Sequence, residues 1–175
     1  FLGYFLASQV KILLFFWLVT QICLAQWVQT KGPYDGNVGP FAVGGTNLFT
    51  GVYGRGVFLS TDNGTSWNDV NAGLMNLYVN DLAISGSNLF AGTDVGVFLS
   101  TNNGTSWTKV NAGLTNTVVT ALAVNGTNLF AGTYGGGVFL STNNGTNWTP
   151  INNGLTNTQV QVLLMNGANL FAGTY

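Results

Sequence analysis

The sequence repeats itself every 40 or 41 residues. Asn-Leu-Phe recurs at 47–49, 88–90, 128–130 and 169–171, and tryptophan keeps nearly the same step at Trp27, Trp67, Trp107 and Trp148. Between them returns one block, Gly-Val-Phe-Leu-Ser-Thr-(Asp/Asn)-Asn-Gly-Thr-(Ser/Asn)-Trp. A period of this length confines the chain to arrays in which each unit packs mainly on its neighbours.

The third unit shows what one repeat contains. Residues 117–124 alternate β-branched and small side chains and are expected to form a first strand, A. Asn125-Gly126 is a strong hairpin signal, and 128–133 form strand B. Tyr134-Gly135-Gly136 turns the chain into strand C at 137–142, and Asn143-Asn144-Gly145 turns it again into strand D at 146–151, which carries Trp148. No window has the apolar spacing of an amphipathic helix. Four short antiparallel strands per forty residues is the pattern of a β-propeller blade. A β-solenoid is the alternative, but its repeats are shorter and have fewer hairpins. The fold class is therefore all-β: a partial propeller of about three and a half four-stranded blades, with one Trp per blade filling the gap between neighbours. The fourth unit carries strands A and B only, so the chain reads as a fragment whose remaining blades lie elsewhere in a longer protein. Trp27 sits where a strand D would be, and in a closed ring it could complete the last blade.

Composition narrows the function classes. Charged residues make up 5% of the chain and aromatic residues 13%, against roughly 25% charged in an ordinary soluble protein. Solubility must come from Asn, Thr, Ser and Gly, which suit turns. Net charge is −1 and the basic residues are Lys11, Lys31, Arg55 and Lys109. That is no basic stripe, so binding to nucleic acid by phosphate neutralisation has no support.

The N-terminal segment reads as a leader. Lys11 precedes the apolar run 12–19, and Cys23 and Ala25 are small residues at the −3 and −1 positions. Residues 1–25 are expected to be a signal peptide, helical in its apolar part and cleaved before Gln26, with 1–10 as possible read-through from upstream. Gln21 interrupts the run well short of the roughly 20 apolar residues a membrane span needs. A secreted or cell-surface protein with no membrane attachment after cleavage follows. Cys23 is the one cysteine, so the mature chain would lack disulfides and thiol chemistry.

The block after strand C carries a specific resemblance. Ser60-Thr61-Asp62-Asn63-Gly64-Thr65-Ser66-Trp67 resembles the Asp-box, or BNR, motif Ser-x-Asp-x-Gly-x-x-Trp. Ser100, Gly104 and Trp107, and Ser141, Gly145 and Trp148, match it, with Asn102 and Asn143 in place of the Asp. Residues 41–175 thus resemble the BNR/Asp-box propeller superfamily, which includes sialidases, sortilin-type receptors, xyloglucan-degrading hydrolases and photosystem II assembly factors, and 26–175 are expected to form an incomplete propeller of that kind. The Asn/Thr/Gly style is similar to that of secreted bacterial propellers that carry a C-terminal sorting domain for type IX secretion. The motif implies structure: Asp or Asn caps the turn, Gly takes positive φ and Trp packs between strands.

Catalytic residue types are scarce. The sequence has neither His nor Glu, so a Ser-His-Asp triad is impossible, and a sialidase-like site would need an arginine cluster and a Tyr–Glu pair. Carboxylates past residue 25 are Asp35, Asp62, Asp69, Asp81 and Asp94; Asp62 belongs to its turn and the rest fall at unrelated repeat positions. No metal or cofactor is expected. Antiparallel order puts the A–B and C–D turns on one rim, with near-identical sequences, and the B–C turns and D–A connections on the other, where the repeats differ. A ligand surface would use Tyr53, Arg55, Asp94 and Tyr134, with Tyr78 beside them. The expectation is a non-catalytic extracellular propeller for interaction with a protein or glycan. The alternatives are a carbohydrate-active hydrolase, sialidase- or xyloglucanase-like, with its active site on other blades, and a propeller like the photosystem II assembly factors.

Overall fold

A computed structural model of the chain describes residues 30, 32–33 and 36–175. The leader at 1–25, Cys23 and Trp27 lie outside the described residues, and so does Asp35. The described part is built from strands, without a helix.

Fourteen strands follow in chain order. β1 (Val38–Gly44), β2 (Asn47–Val52), β3 (Gly56–Ser60) and β4 (Asn68–Asp69) form the first sheet. β5 (Val79–Ser85), β6 (Asn88–Thr93), β7 (Gly96–Ser100) and β8 (Thr108–Lys109) form the second. β9 (Val119–Asn125), β10 (Asn128–Thr133), β11 (Gly137–Ser141) and β12 (Thr149–Pro150) form the third. β13 (Val160–Asn166) and β14 (Asn169–Thr174) pair alone. Each sheet is an antiparallel meander in sequence order, and this is the partial β-propeller that the repeat implies: three blades and the first half of a fourth. The Asn125-Gly126 hairpin forms as expected, with Asn125 opposite Asn128 and Gly126 at φ 60°.

Strand D departs from expectation. It spans two residues rather than the six of 146–151, and Trp148 lies just before it. Residues 146–148 belong instead to the turn and to the crossing onto the preceding blade: the Thr146 N–H donates to the Asn143 carbonyl at 3.1 Å and the Trp148 N–H to the Ala112 carbonyl at 2.8 Å. Just past the expected strand an asparagine amide continues the contact with strand C, Asn152 Oδ1 accepting from the Val138 N–H at 2.7 Å and its Nδ2 donating to the Gly136 carbonyl at 2.9 Å. Asn71 and Asn111 do the same for Val57 and Val97. Strand A also starts two residues later than 117, at Val119, and strand C ends at Ser141.

The blades stack through their faces. Phe49, Val57, Leu74 and Trp107 join Leu82 and Leu89 in one apolar cluster across the first and second blades. Phe90, Val97, Leu114 and Trp148 join Leu122 and Leu129 across the second and third. Trp107 and Trp148 thus fill inter-blade gaps, as the sequence suggested. Close approach of strand B to the next blade's strand A explains the Phe-Ala-Gly-Thr pattern: a Cβ at Gly132 would meet Val160 Cγ1 at 2.6 Å. The same positions that are buried inside the stack are open at its ends. Leu82 and Leu122 are each 6% exposed, whereas their equivalent Phe41 in β1 is 62% exposed; Phe90 is fully buried and its equivalent Phe171 in β14 is 54% exposed.

Candidate functional site

The rim that carries Ser60, Ser100 and Ser141 is a set of closed turns. Ser60 Oγ donates to Asp62 Oδ1 at 2.8 Å and accepts the Gly64 N–H at 2.8 Å. Asp62 Oδ1 accepts the Ser66 N–H at 2.9 Å, and Oδ2 accepts the Ser66 hydroxyl at 2.6 Å. These bonds, the Ser66 hydroxyl first, then the Ser66 N–H and Ser60, draw the Asp62 carboxyl down from 3.8 to about 2. The second and third blades repeat the geometry with an amide. Ser100 Oγ donates to Asn102 Oδ1 at 2.9 Å, and Ser141 Oγ to Asn143 Oδ1 at 2.9 Å; Gly104 and Gly145 N–H each reach the serine at 2.8 Å. Positive φ falls on Asn63, Asn103 and Asn144 as well as on the glycines that follow them. The Asp62 carboxylate is thus engaged within its own turn by Ser60 and Ser66.

Trp107 and Trp148 end their turns by crossing to the preceding blade. The Trp107 indole N–H donates to the Val70 carbonyl at 2.7 Å, and its backbone N–H to the Ala72 carbonyl at 2.9 Å. Trp148 repeats both contacts on Val110 and Ala112, each at 2.8 Å. Trp67 packs edge-on to Phe41, with ring centroids 6.5 Å apart, and its buried Nε1 is the orphan donor among the described residues.

The other rim carries the variable residues. Tyr53, Asp94, Tyr134 and Tyr175 occupy one repeat position, immediately after strand B. The N–H of Tyr53 donates to the Asn37 carbonyl at 3.0 Å, that of Tyr134 to Val118 at 2.9 Å and that of Tyr175 to Gln159 at 3.4 Å, so each is anchored beside the start of strand A. Asparagines fix the D–A connections. Asn76 Oδ1 accepts the Tyr78 N–H at 2.8 Å, and Asn116 accepts from Val118 at 3.1 Å while donating to the Tyr134 carbonyl at 3.0 Å. The side chains remain exposed on this fixed backbone: Tyr53, Tyr78, Tyr134 and Tyr175, with Met75, Leu77 and Val118 between them.

Three of the five rim residues expected from sequence come together. Tyr53 and Tyr78 form an edge-to-face pair with centroids 4.8 Å apart. The Arg55 guanidinium lies over the Phe58 ring at 5.6 Å, beside an open groove of about 510 Å³ lined by Gly54, Arg55, Phe58, Asp69, Asn71 and Leu77. Asp94 and Tyr134 stand at the matching places on the next blades. Asp94 Oδ1 accepts from Asn80 Nδ2 at 2.9 Å, and the same Nδ2 donates to the Val119 carbonyl at 2.9 Å, so Asp94 stiffens the step from the second blade to the third.

Sequence reasoning missed three things here. Met75 and Leu77 belong to the rim, and the signal was the replacement of Thr115 and Thr117 of the next unit by two apolar residues in Met75-Asn76-Leu77-Tyr78. Tyr175 follows Gly-Thr as Tyr134 does. Asp81, passed over as unrelated to the repeat, is an inter-blade clamp: Oδ1 accepts the Leu82 N–H at 2.8 Å and Oδ2 the Leu122 N–H of the next blade at 2.7 Å. Burial pushes its carboxyl above the ordinary carboxylate value, and the two N–H donors offset part of that rise. Among the described residues no three or more His, Cys, Asp or Glu cluster as metal ligands.

No protein-family model and no curated sequence matches the chain. Solved structures match its fold. The extracellular domain of BT4673 from B. thetaiotaomicron, described as a putative one-component system, superposes with a TM-score of 0.63 at 20% identity over 78% of this chain and 20% of that one. An ancestral GH74 enzyme gives 0.63 at 21% identity over 84% of this chain and 23% of the enzyme. YCF48 bound to D1 peptide gives 0.58 at 14% identity over 70% and 42%. The chain therefore spans between a fifth and about two fifths of the length of these propellers, and at these identities the likeness is one of fold.

Proposed function

We propose that the chain is a non-catalytic, extracellular propeller module that holds a protein or glycan partner on the rim bearing Tyr53, Arg55, Tyr78, Asp94 and Tyr134. One observation carries this reading. At a single repeat position the units present exposed side chains, tyrosine in three and Asp94 in the second, with the backbone N–H of each tyrosine held by a hydrogen bond, while the opposite rim repeats one closed turn. A rigid scaffold with variable loops is the usual setting for recognition. The edge-to-face pair Tyr53–Tyr78 offers a flat apolar surface with hydroxyl edges, suited to a sugar ring or an extended peptide. Binding rather than catalysis is favoured because Asp62 and Asp81 are held in hydrogen bonds to backbone N–H groups. YCF48 with its bound D1 peptide and the extracellular BT4673 domain are precedents of fold for such a role. The extracellular setting rests on the leader-like segment 1–25, and the Asp-box identity on the turn geometry at Ser60, Asp62 and Gly64 and its two copies.

Glycan and peptide arrays probed with the purified chain test the proposal. The expected result is retention of one ligand class by the wild type, lost in the triple variant Tyr53→Ala, Arg55→Ala, Tyr134→Ala with an unchanged far-ultraviolet spectrum. Undiminished binding by that variant, or hydrolysis of xyloglucan by the chain alone, refutes it.

A further inference from the structure

One triplet, Asn-Gly-Thr, recurs at Asn63, Asn103, Asn125 and Asn144. The fold puts three copies in one setting and the fourth in another. A reaction that depends on the triplet alone would treat all four alike, so a difference between them is set by structure.

Three copies lie in the serine-capped turns. There the glycine after the asparagine is buried and its N–H is donated to a serine: Gly64 to Ser60 Oγ, Gly104 to Ser100 Oγ and Gly145 to Ser141 Oγ, each at 2.8 Å. The three serines are buried as well. Asn125-Gly126 instead stands at the tip of the β9–β10 hairpin. Both residues are exposed, and the Gly126 N–H has no hydrogen-bond partner among the described residues. A Cβ built on Gly126 meets nothing within 4 Å. The Asn125 side chain is held by one exposed hydrogen bond, its Nδ2 donating to the Gly167 carbonyl of the next hairpin at 3.1 Å.

An asparagine followed by glycine can be attacked by its own backbone. The glycine N–H loses its proton to base in the solvent, and the nitrogen adds to the asparagine Cγ. A five-membered imide closes, the Cγ–Nδ2 bond breaks and ammonia leaves. Water then opens the imide at one carbonyl or the other, giving aspartate or isoaspartate; no oxidant or cofactor takes part. Glycine permits the ring because it has no Cβ to crowd it and turns freely. The fold controls the nucleophile. Where a buried serine holds the glycine proton, that bond must break and the turn must open before base can reach it. The Gly126 N–H already faces water.

We propose that Asn125 is a self-modification site of the folded chain, converted by water to aspartate and isoaspartate, and that Ser60, Ser100 and Ser141 protect the other three triplets from the same reaction. The product alters a junction between blades. A carboxylate replaces the amide that donated to Gly167, and it faces a carbonyl with no proton to offer. Isoaspartate also lengthens the backbone by one carbon at the residue paired with Asn128. The third blade thereby loses its hold on the β13–β14 hairpin at this tip. No rim residue is involved, so the claim is independent of the rim reading.

The test incubates the purified chain, folded, in mildly alkaline buffer and follows the four sites by peptide mass spectrometry, with aspartate and isoaspartate separated by chromatography. Asn125 is expected to convert about tenfold or more faster than Asn63, Asn103 and Asn144, because the latter must pay for local opening first. In concentrated urea the four rates should converge. Ser100→Ala should speed conversion of Asn103 about two- to tenfold, the size of one hydrogen bond's net contribution, and leave Asn144 unchanged. The comparison within the wild type stands even if that variant folds poorly. Conversion of Asn103 or Asn144 as fast as Asn125 in the folded chain overturns the proposal. So does a spread of rates that persists in urea, or an Asn125 that keeps its amide for as long as the unfolded chain takes to lose it.

Discussion

The indole N–H of Trp107 donates to the carbonyl of Val70, 2.7 Å away and 37 residues earlier in the chain. The bond makes each tryptophan part of the preceding blade's surface, with its own blade's turn following behind. Trp148 and Val110 repeat it. Trp67 is the exception, a half-buried indole whose enclosed N–H is unmatched among the described residues.

That difference predicts unequal costs for one substitution. Trp107→Phe and Trp148→Phe each lose a hydrogen bond and leave a carbonyl unpaired, for about 1–3 kcal/mol beyond the loss of packing. Trp67→Phe removes a donor that has no partner and should cost less than either. Urea unfolding of the three variants measures the order; an equal or larger loss for Trp67→Phe contradicts it.

Gly132 sets the spacing of the third and fourth blades. Its Cβ in Gly132→Ala would meet Val160 Cγ1 at 2.6 Å, so β10 must retreat from β13, and overpacking of this kind costs about 1–3 kcal/mol. Gly132→Ala with Val160→Ala should recover part of that loss, and a double-mutant cycle in thermal unfolding would reveal the coupling.

Asp81→Ala removes both acceptors of the clamp between the second and third blades. The next blade already has Ala121 at this place, so the fold should persist. The Leu122 amide loses its partner, and about 1–2 kcal/mol of stability should go with it. Hydrogen exchange at Leu122 should quicken relative to Leu163. The carboxyl's raised value means its charged form is less favoured folded than unfolded, so this group's contribution declines as pH rises from its unfolded value through its folded one. Asp81→Ala should therefore flatten that part of the stability–pH curve.

Asp62 has the opposite sign. Its carboxyl falls from 3.8 to about 2 in the fold, so its turn is stabilised above the unfolded value and loses that support as pH drops from about 4 to about 2. Asn102 and Asn143 do not titrate there. Amide exchange at Ser66 should rise in acid while Ser106 and Asn147 stay constant, and Asp62→Asn should abolish the contrast.

The architecture was legible because the repeat shows four alternating segments side by side, and Asn125-Gly126 or Asn143-Asn144-Gly145 can only be turns. The length of strand D was not legible, since the backbone N–H of Trp148 pairs with Ala112 of the preceding blade and not with strand C, a choice that periodicity cannot reveal. At the rim, Tyr53, Arg55 and Tyr78 could be placed together because B–C turns and D–A connections must share an end of the sheet. Asp81 could not be read, because its partner Leu122 N–H lies 41 residues away and on another blade. The turn role of Asp62 was readable from its neighbours Ser60 and Ser66, which are local.

Hydrogen bonds from one blade to the next reach back or forward by about one repeat: 37 and 38 residues for the indoles, 41 for Asp81, 40 for Thr120 with Val160. No such link asks what lies two units away. Gene duplication or deletion in whole multiples of the period would therefore preserve each junction, whereas an indel of a few residues inside one would misalign every donor and acceptor across it. The chain is in this sense modular stock whose grain runs in lengths of forty, and recombination is free only along that grain.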